Sequence, residues 1–99
     1  MKLIELNAKL EKTDEELAVA LAKVFPLEVE YTTRYNQLML HSGMANQTGR
    51  EAEALETLKQ EDIYVKYHEA KLTVKILYSR KDTLIEISRN IRSLAFAEV

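Results

Sequence analysis

Cysteine and tryptophan are missing from this chain, and glycine and proline nearly so, at two and one in 99 residues. Without cysteine there is no disulfide framework, no thiol chemistry and no cysteine-based zinc site. A sandwich or barrel needs many turns, so the shortage of glycine and proline argues against an all-β fold. Long apolar runs are also lacking. The opening MKLIELNAKLEK is interrupted by Glu5, Asn7 and Lys9, so it does not read as a signal peptide. No stretch approaches the roughly 18 apolar residues that span a membrane. A cytoplasmic setting is the expectation, and the glycosylation-like Asn46-Gln47-Thr48 carries no weight there.

What is present is a folded composition, 46% hydrophobic, sized for one small domain. From Thr48 onward, 52 residues contain one glycine and no proline. Within them Ile63, Tyr67, Ala70, Val74, Leu77, Lys81, Leu84, Ser88, Ile91 and Ala95 recur at alternating steps of four and three. That spacing marks a helix packed lengthwise on another helix.

The expected fold is therefore all-α, a small helical bundle or hairpin with a long C-terminal helix. Thr13 and Glu16 match a capping box, with Asp14, Glu15 and Glu16 in a first turn. Pro26 disfavours helical geometry at Phe25. The chain is expected to form helices over about 13–24, 27–41 and 49–96, with a loop at 42–49. Thr48 and Glu51 form a second capping-box match, and breaks are expected near 60–62 and 79–82. The rival is an α+β fold, because Ile63, Val65 and Tyr67, then Leu72, Val74, Ile76 and Tyr78, also alternate as in a 63–78 β-hairpin. Such a hairpin would turn through His68-Glu69-Ala70-Lys71, which has no glycine, asparagine or proline.

A second apolar face lies on the long helix. Val65, Leu72, Ile76, Ile87 and Leu94 fall together, away from the first seam. A helix with two apolar stripes needs covering on two sides. The five residues are candidates for self-association, with a two-fold dimer the simplest form.

Charge is uneven. Residues 1–63 hold seven Lys/Arg against twelve Asp/Glu, whereas 64–92 hold seven against three. Lys66, Lys71, Lys75, Arg80, Lys81, Arg89 and Arg92, with Tyr64, Tyr67 and Tyr78 among them, are candidates for contacting single-stranded nucleic acid. Cations meet phosphates there, and rings stack on bases.

No catalytic constellation is visible, and neither a cofactor nor a metal is expected. His68-Glu69 begins like the zinc-protease HExxH helix, but Leu72 stands where the second histidine belongs. No phosphate loop, serine elbow or dinucleotide fingerprint occurs. A non-enzymatic protein is expected.

Residues 27–96 carry Tyr31-x3-Tyr35, Arg50-Glu51-Ala52-Glu53-Ala54, Glu69-Ala70-Lys71 and Ile91-Arg92-Ser93-Leu94. That texture resembles the small all-helical accessory proteins of tailed bacteriophages, including mediators that load a recombinase onto single strands. The resemblance implies a helical, self-associating protein that works through a macromolecular partner in the host cytoplasm. It carries no functional residue over to this chain. Two further roles stay open: a single-stranded-DNA-binding accessory protein, and an inhibitor whose acidic N-terminal half engages a basic host enzyme.

Overall fold

A computed structural model describes residues 2–97. Among them there are three α-helices and no strand: α1 (Leu3–Leu40), α2 (Gln47–Leu58) and α3 (Asp62–Ala97). The all-α expectation holds, and the 63–78 hairpin is overturned because that whole segment lies within α3. Burial gives the reason. Ile63, Tyr67 and Leu77 are buried at helical spacing, whereas Val65, Leu72 and Ile76 stay exposed.

Contacts divide the chain into two units, one of Met1–Leu21 with Thr73–Val99 and the other of Ala22–Leu72. In the first, the start of α1 runs antiparallel to the end of α3. Glu16 meets Arg80 and Asp14 meets Lys81, while Leu17 and Ala20 pack with Leu77 and Val74. The α1 positions Leu6, Leu10, Thr13, Leu17 and Ala20 alternate steps of four and three, and all are buried or half-buried. Opposite them, Val74, Leu77, Lys81, Leu84, Ser88 and Ile91 behave likewise. The seam read on α3 is therefore the buried one, except that Ala95 is exposed.

In the second unit the α1 seam continues through Val24, Leu27, Tyr31, Arg34 and Leu38, none of them exposed. Facing them are Ile63 and Tyr67 of α3, both buried. Helix α2 contributes Ala54 and Leu58, and the Leu58 side chain is fully buried. Arg34 grips the junction between α2 and α3. Its Nε and Nη2 donate to the two Glu61 carboxylate oxygens at 2.7 and 2.9 Å, a bidentate fork with defined geometry.

Several expected boundaries are replaced. Helix α1 does not start at Thr13, because the Leu3–Lys12 segment carries Leu6 and Leu10 into the same seam. The buried Thr13 hydroxyl donates back to the Lys9 carbonyl at 2.8 Å instead of capping, a bond that satisfies it inside a helix. Nor does α1 stop at Pro26, which lies within it on an exposed position. Proline removes one hydrogen bond, here the one to the Ala22 carbonyl, and its ring crowds that carbonyl. Seam burial on both sides of Pro26 outweighs that local loss. The division between units on α1 falls at Ala22 itself.

The expected 42–49 loop is shorter, because α2 begins at Gln47 with Asn46 as its cap. The Asn46 Oδ1 accepts from the Gly49 amide at 2.7 Å, which displaces the Thr48 capping box. A Cβ at Gly49 would stand 3.0 Å from both Asn46 Oδ1 and Met44 Cε, so glycine lets the cap close. Ser42 and Arg50 tie the connection down, through Glu53 Oε2 at 3.0 Å and the Met44 carbonyl at 3.1 Å.

The expected break near 60–62 is real, since α2 ends at Leu58 and α3 begins at Asp62. The break near 79–82 is absent. There the Thr83 hydroxyl bonds to the Ser79 carbonyl at 3.1 Å within an unbroken helix.

Replacing Pro26 by alanine restores the amide donor and relieves the ring clash. Pro26→Ala is expected to stabilise the fold by about 2 kcal/mol, read as a higher urea midpoint at unchanged slope. An unchanged or lower midpoint would contradict a continuous helix through this position.

Candidate functional site

The five candidate self-association residues lie on α3, which is one uninterrupted helix, so residue number decides which of its side chains share a face. At 100° per residue the five fall within about 60° of one another. Val65 is 51% exposed, Leu72 56%, Ile76 52% and Leu94 64%. Ile87 is half-buried. Four of the five are thus large aliphatic side chains more than half exposed on one face.

The outer surface of α1 differs. Ile4, Val19, Leu21, Phe25, Val29 and Leu40 are also exposed, but they spread over about 160° of that helix. Phe25 and Val29 escape notice in the sequence as long as Pro26 is taken for a helix end. Counting the Leu6–Leu38 seam through Pro26 would have placed both outside it.

The seven candidate nucleic-acid residues do not act as one group. In the first unit Arg80 pairs with Glu16 at 3.2 Å and Lys81 with Asp14 at 2.8 Å. The hydrogen bond that Lys81 donates to the Asp14 carboxylate, with that carboxylate's charge, holds the Lys81 ammonium above its ordinary range. The acidic cluster Asp14-Glu15-Glu16 therefore sits mid-helix, where two of its carboxylates hold α3 cations. Arg89 and Arg92 border a groove of about 300 Å³ with Asn7, Leu10, Ile85 and Ser88. On its other side Arg89 shares a shallow surface with Asp82 and Glu86, so carboxylates interrupt the basic run. Lys75 is exposed.

In the second unit Lys66 is exposed, and Lys71 Nζ stands 4.9 Å from the Tyr67 ring centre. That ring is committed to the fold. Tyr31 lies 4.6 Å from Tyr67 and 6.4 Å from Tyr64, centre to centre, with His68 edge-on at 5.8 Å. Tyr64 and His68 are 4.3 Å apart. Burial pushes the Tyr31 phenol up, with smaller contributions from Tyr64, Tyr67 and Tyr35. The sequence signal for this cluster was the placement of Tyr31 and Tyr67 at seam positions on two facing helices.

Among the described residues no group of three or more His, Asp or Glu is arranged to hold a metal ion. No helix is long and apolar enough to cross a membrane. Every buried side-chain polar atom described has a partner. Compared with known proteins, the chain matches no family model, no curated protein and no solved structure.

The Arg34 fork has a consequence in acid. Its hydrogen bonds hold the Glu61 carboxyl below its ordinary value of 4.5. A lowered folded pKa contributes stability that is complete above the unfolded value and is lost as pH falls through the folded one. Thermal midpoints of the parent chain and Glu61→Gln should therefore differ most near pH 7 and converge as the pH falls below the carboxyl's ordinary value of 4.5. A gap independent of pH would show that the fork contributes no proton-linked stability.

Proposed function

We propose that this chain is a non-enzymatic helical accessory protein that works by self-association and by binding another macromolecule. The outer face of α3 is its contact element. The observation that carries this reading is the alignment of Val65, Leu72, Ile76 and Leu94, each more than half exposed, along one face of one helix. Isolated exposed leucines are ordinary on protein surfaces, but an ordered apolar row is a mark of an interaction surface. A small helical chain also gains the most from such burial, because its own core is thin.

The setting is the cytoplasm, that of a host cell if the phage likeness reflects its origin. A single-stranded-DNA role has weaker support, since Arg80 and Lys81 are paired with carboxylates and Tyr67 is buried. The inhibitor reading loses ground for a related reason. Asp14 and Glu16, the centre of the acidic half, are engaged with α3.

Light scattering after size exclusion, at tens of micromolar, is expected to give twice the 11.4 kDa chain mass. A clean monomer would overturn self-association. Ile76→Asp places a charge at an exposed position, so it should return the mass to that of one chain while the circular dichroism stays helical. If Ile76→Asp unfolds the chain instead, Ile76 belongs to the internal core.

A further inference from the structure

In the first unit α1 carboxylates answer α3 cations, Glu16 for Arg80 and Asp14 for Lys81. About two turns further along α3 the series stops. The same antiparallel register brings Arg89 to Asn7, an amide where a carboxylate would continue the pattern, and both line one groove. Arg92 lines it too, together with Leu10, Ile85 and Ser88. Among the described residues no aspartate or glutamate lines this groove. Glu5 and Glu11, the acids on either side of Asn7, are exposed and stand outside it. Asp82 and Glu86 share a separate shallow surface with Arg89. Yet neither Arg89 nor Arg92 joins an ion pair among the described residues.

Two guanidinium groups three residues apart on one helix are neighbours and repel each other. The half-buried Leu10 and Ile85 beside them form an apolar wall, and a low-dielectric wall focuses such a field. The groove is also rich in donors. Each guanidinium is a fork of N–H groups, and the Asn7 amide adds its own. One fork already matches a planar carboxylate, as Arg34 matches Glu61. Two forks and an amide suit an anion with more oxygens in a tetrahedral arrangement.

We infer that this groove binds a phosphate group, held between Arg89 and Arg92 with the Asn7 side-chain amide donating from α1. The phosphate stands where the α1–α3 series lacks its carboxylate. At 100° per residue both arginines lie at least about 140° around α3 from Ile87 and Leu94. The site is therefore separate from the apolar row and does not depend on self-association. A small phosphate compound and a strand of nucleic acid both carry the group, and binding strength tells them apart.

Nuclear magnetic resonance of the nitrogen-15-labelled chain reads the site directly, through the Arg89 and Arg92 Nε–H signals and the Asn7 side-chain amide. Inorganic phosphate, added at low salt, should move these signals and saturate them at millimolar concentration. The Arg34 and Arg50 signals serve as controls, since both side chains are already bonded within the second unit. Equal movement at the controls, or equal movement with sodium chloride of matched ionic strength, would overturn the site and leave only a counter-ion atmosphere. A short oligothymidylate is then titrated in the same way. Saturation of the same signals at a concentration about tenfold or more below that of phosphate would assign the group to a strand, whose neighbouring phosphates add to binding. Saturation no tighter than with phosphate would assign it to a small compound.

Variants test the geometry. Arg89→Gln and Arg92→Gln should each weaken phosphate binding about tenfold, the loss of a charged hydrogen-bond donor, with helical circular dichroism unchanged. Asn7→Asp supplies the missing carboxylate from within the unit. It should abolish the phosphate response and raise the thermal midpoint. Phosphate binding that survives Asn7→Asp undiminished would overturn the inference, because an aspartate at that position would then lie outside the reach of both arginines.

Discussion

A helix that touches one neighbour lengthwise can bury only one stripe, and that limit governs both units of this protein. Each unit sets a segment of α1 against a segment of α3, and the residues shielded are those at alternating steps of four and three. The resulting core is thin. Among the described residues, Leu6 and Leu58 are the only large side chains that are fully buried. Burial at about 25 cal/mol per Å² then yields little surplus over the entropy of ordering the chain. Polar seam positions are tolerated on strict terms: Thr13 is satisfied by its own helix, Lys81 by Asp14, and Arg34 by the Glu61 fork.

The same limit accounts for the charge asymmetry along the chain. An acidic front and a basic rear suggest an external partner when the sequence is laid out as a line. In the first unit, however, antiparallel packing brings those stretches together, and Glu16–Arg80 and Asp14–Lys81 consume part of the surplus. Exposed pairs of this kind add little stability each. They do favour one register, because sliding α3 by a turn would separate both pairs at once. The basic surplus is thus partly a device of the fold, and what remains on α3 is interleaved with Asp82 and Glu86.

How much of this was legible in residue order depended on how each residue's local signal compared with its tertiary one. The α3 seam was legible because eight of its ten positions are apolar or aromatic and no proline intervenes. The α1 seam, equally regular from Leu6 to Leu38, was hidden by Thr13 and Pro26. Both residues are strong local punctuation, and local rules assign them to helix ends. Thr13 can instead bond its own helix, and Pro26 sits on the exposed side, where a carbonyl left without its amide meets water. Asn46 caps α2 although the Thr48–Glu51 spacing matches a capping box, because its Oδ1 reaches the Gly49 amide two positions nearer the true helix start. The aromatic cluster around Tyr31 could not be foreseen without knowing that Tyr31 and Tyr67 lie on facing helices.

The outer row on α3 was also legible, but its meaning depends on what the fold leaves uncovered. Each unit spends the buried side of α3 on α1, and α2 supplies Ala54 and Leu58 to the second unit's interior. Nothing in either unit reduces Val65, Leu72, Ile76 or Leu94 below half exposure. On the proposed reading, pairing α3 with its copy covers these side chains and makes α3 a helix buried along two sides. Association then contributes to stability as well as to function, since whatever binds only the folded chain stabilises it by mass action. A thin core and an uncovered row are in that sense one property. The chain's apolar surface is divided between a seam that folds it and a row that folding alone does not use.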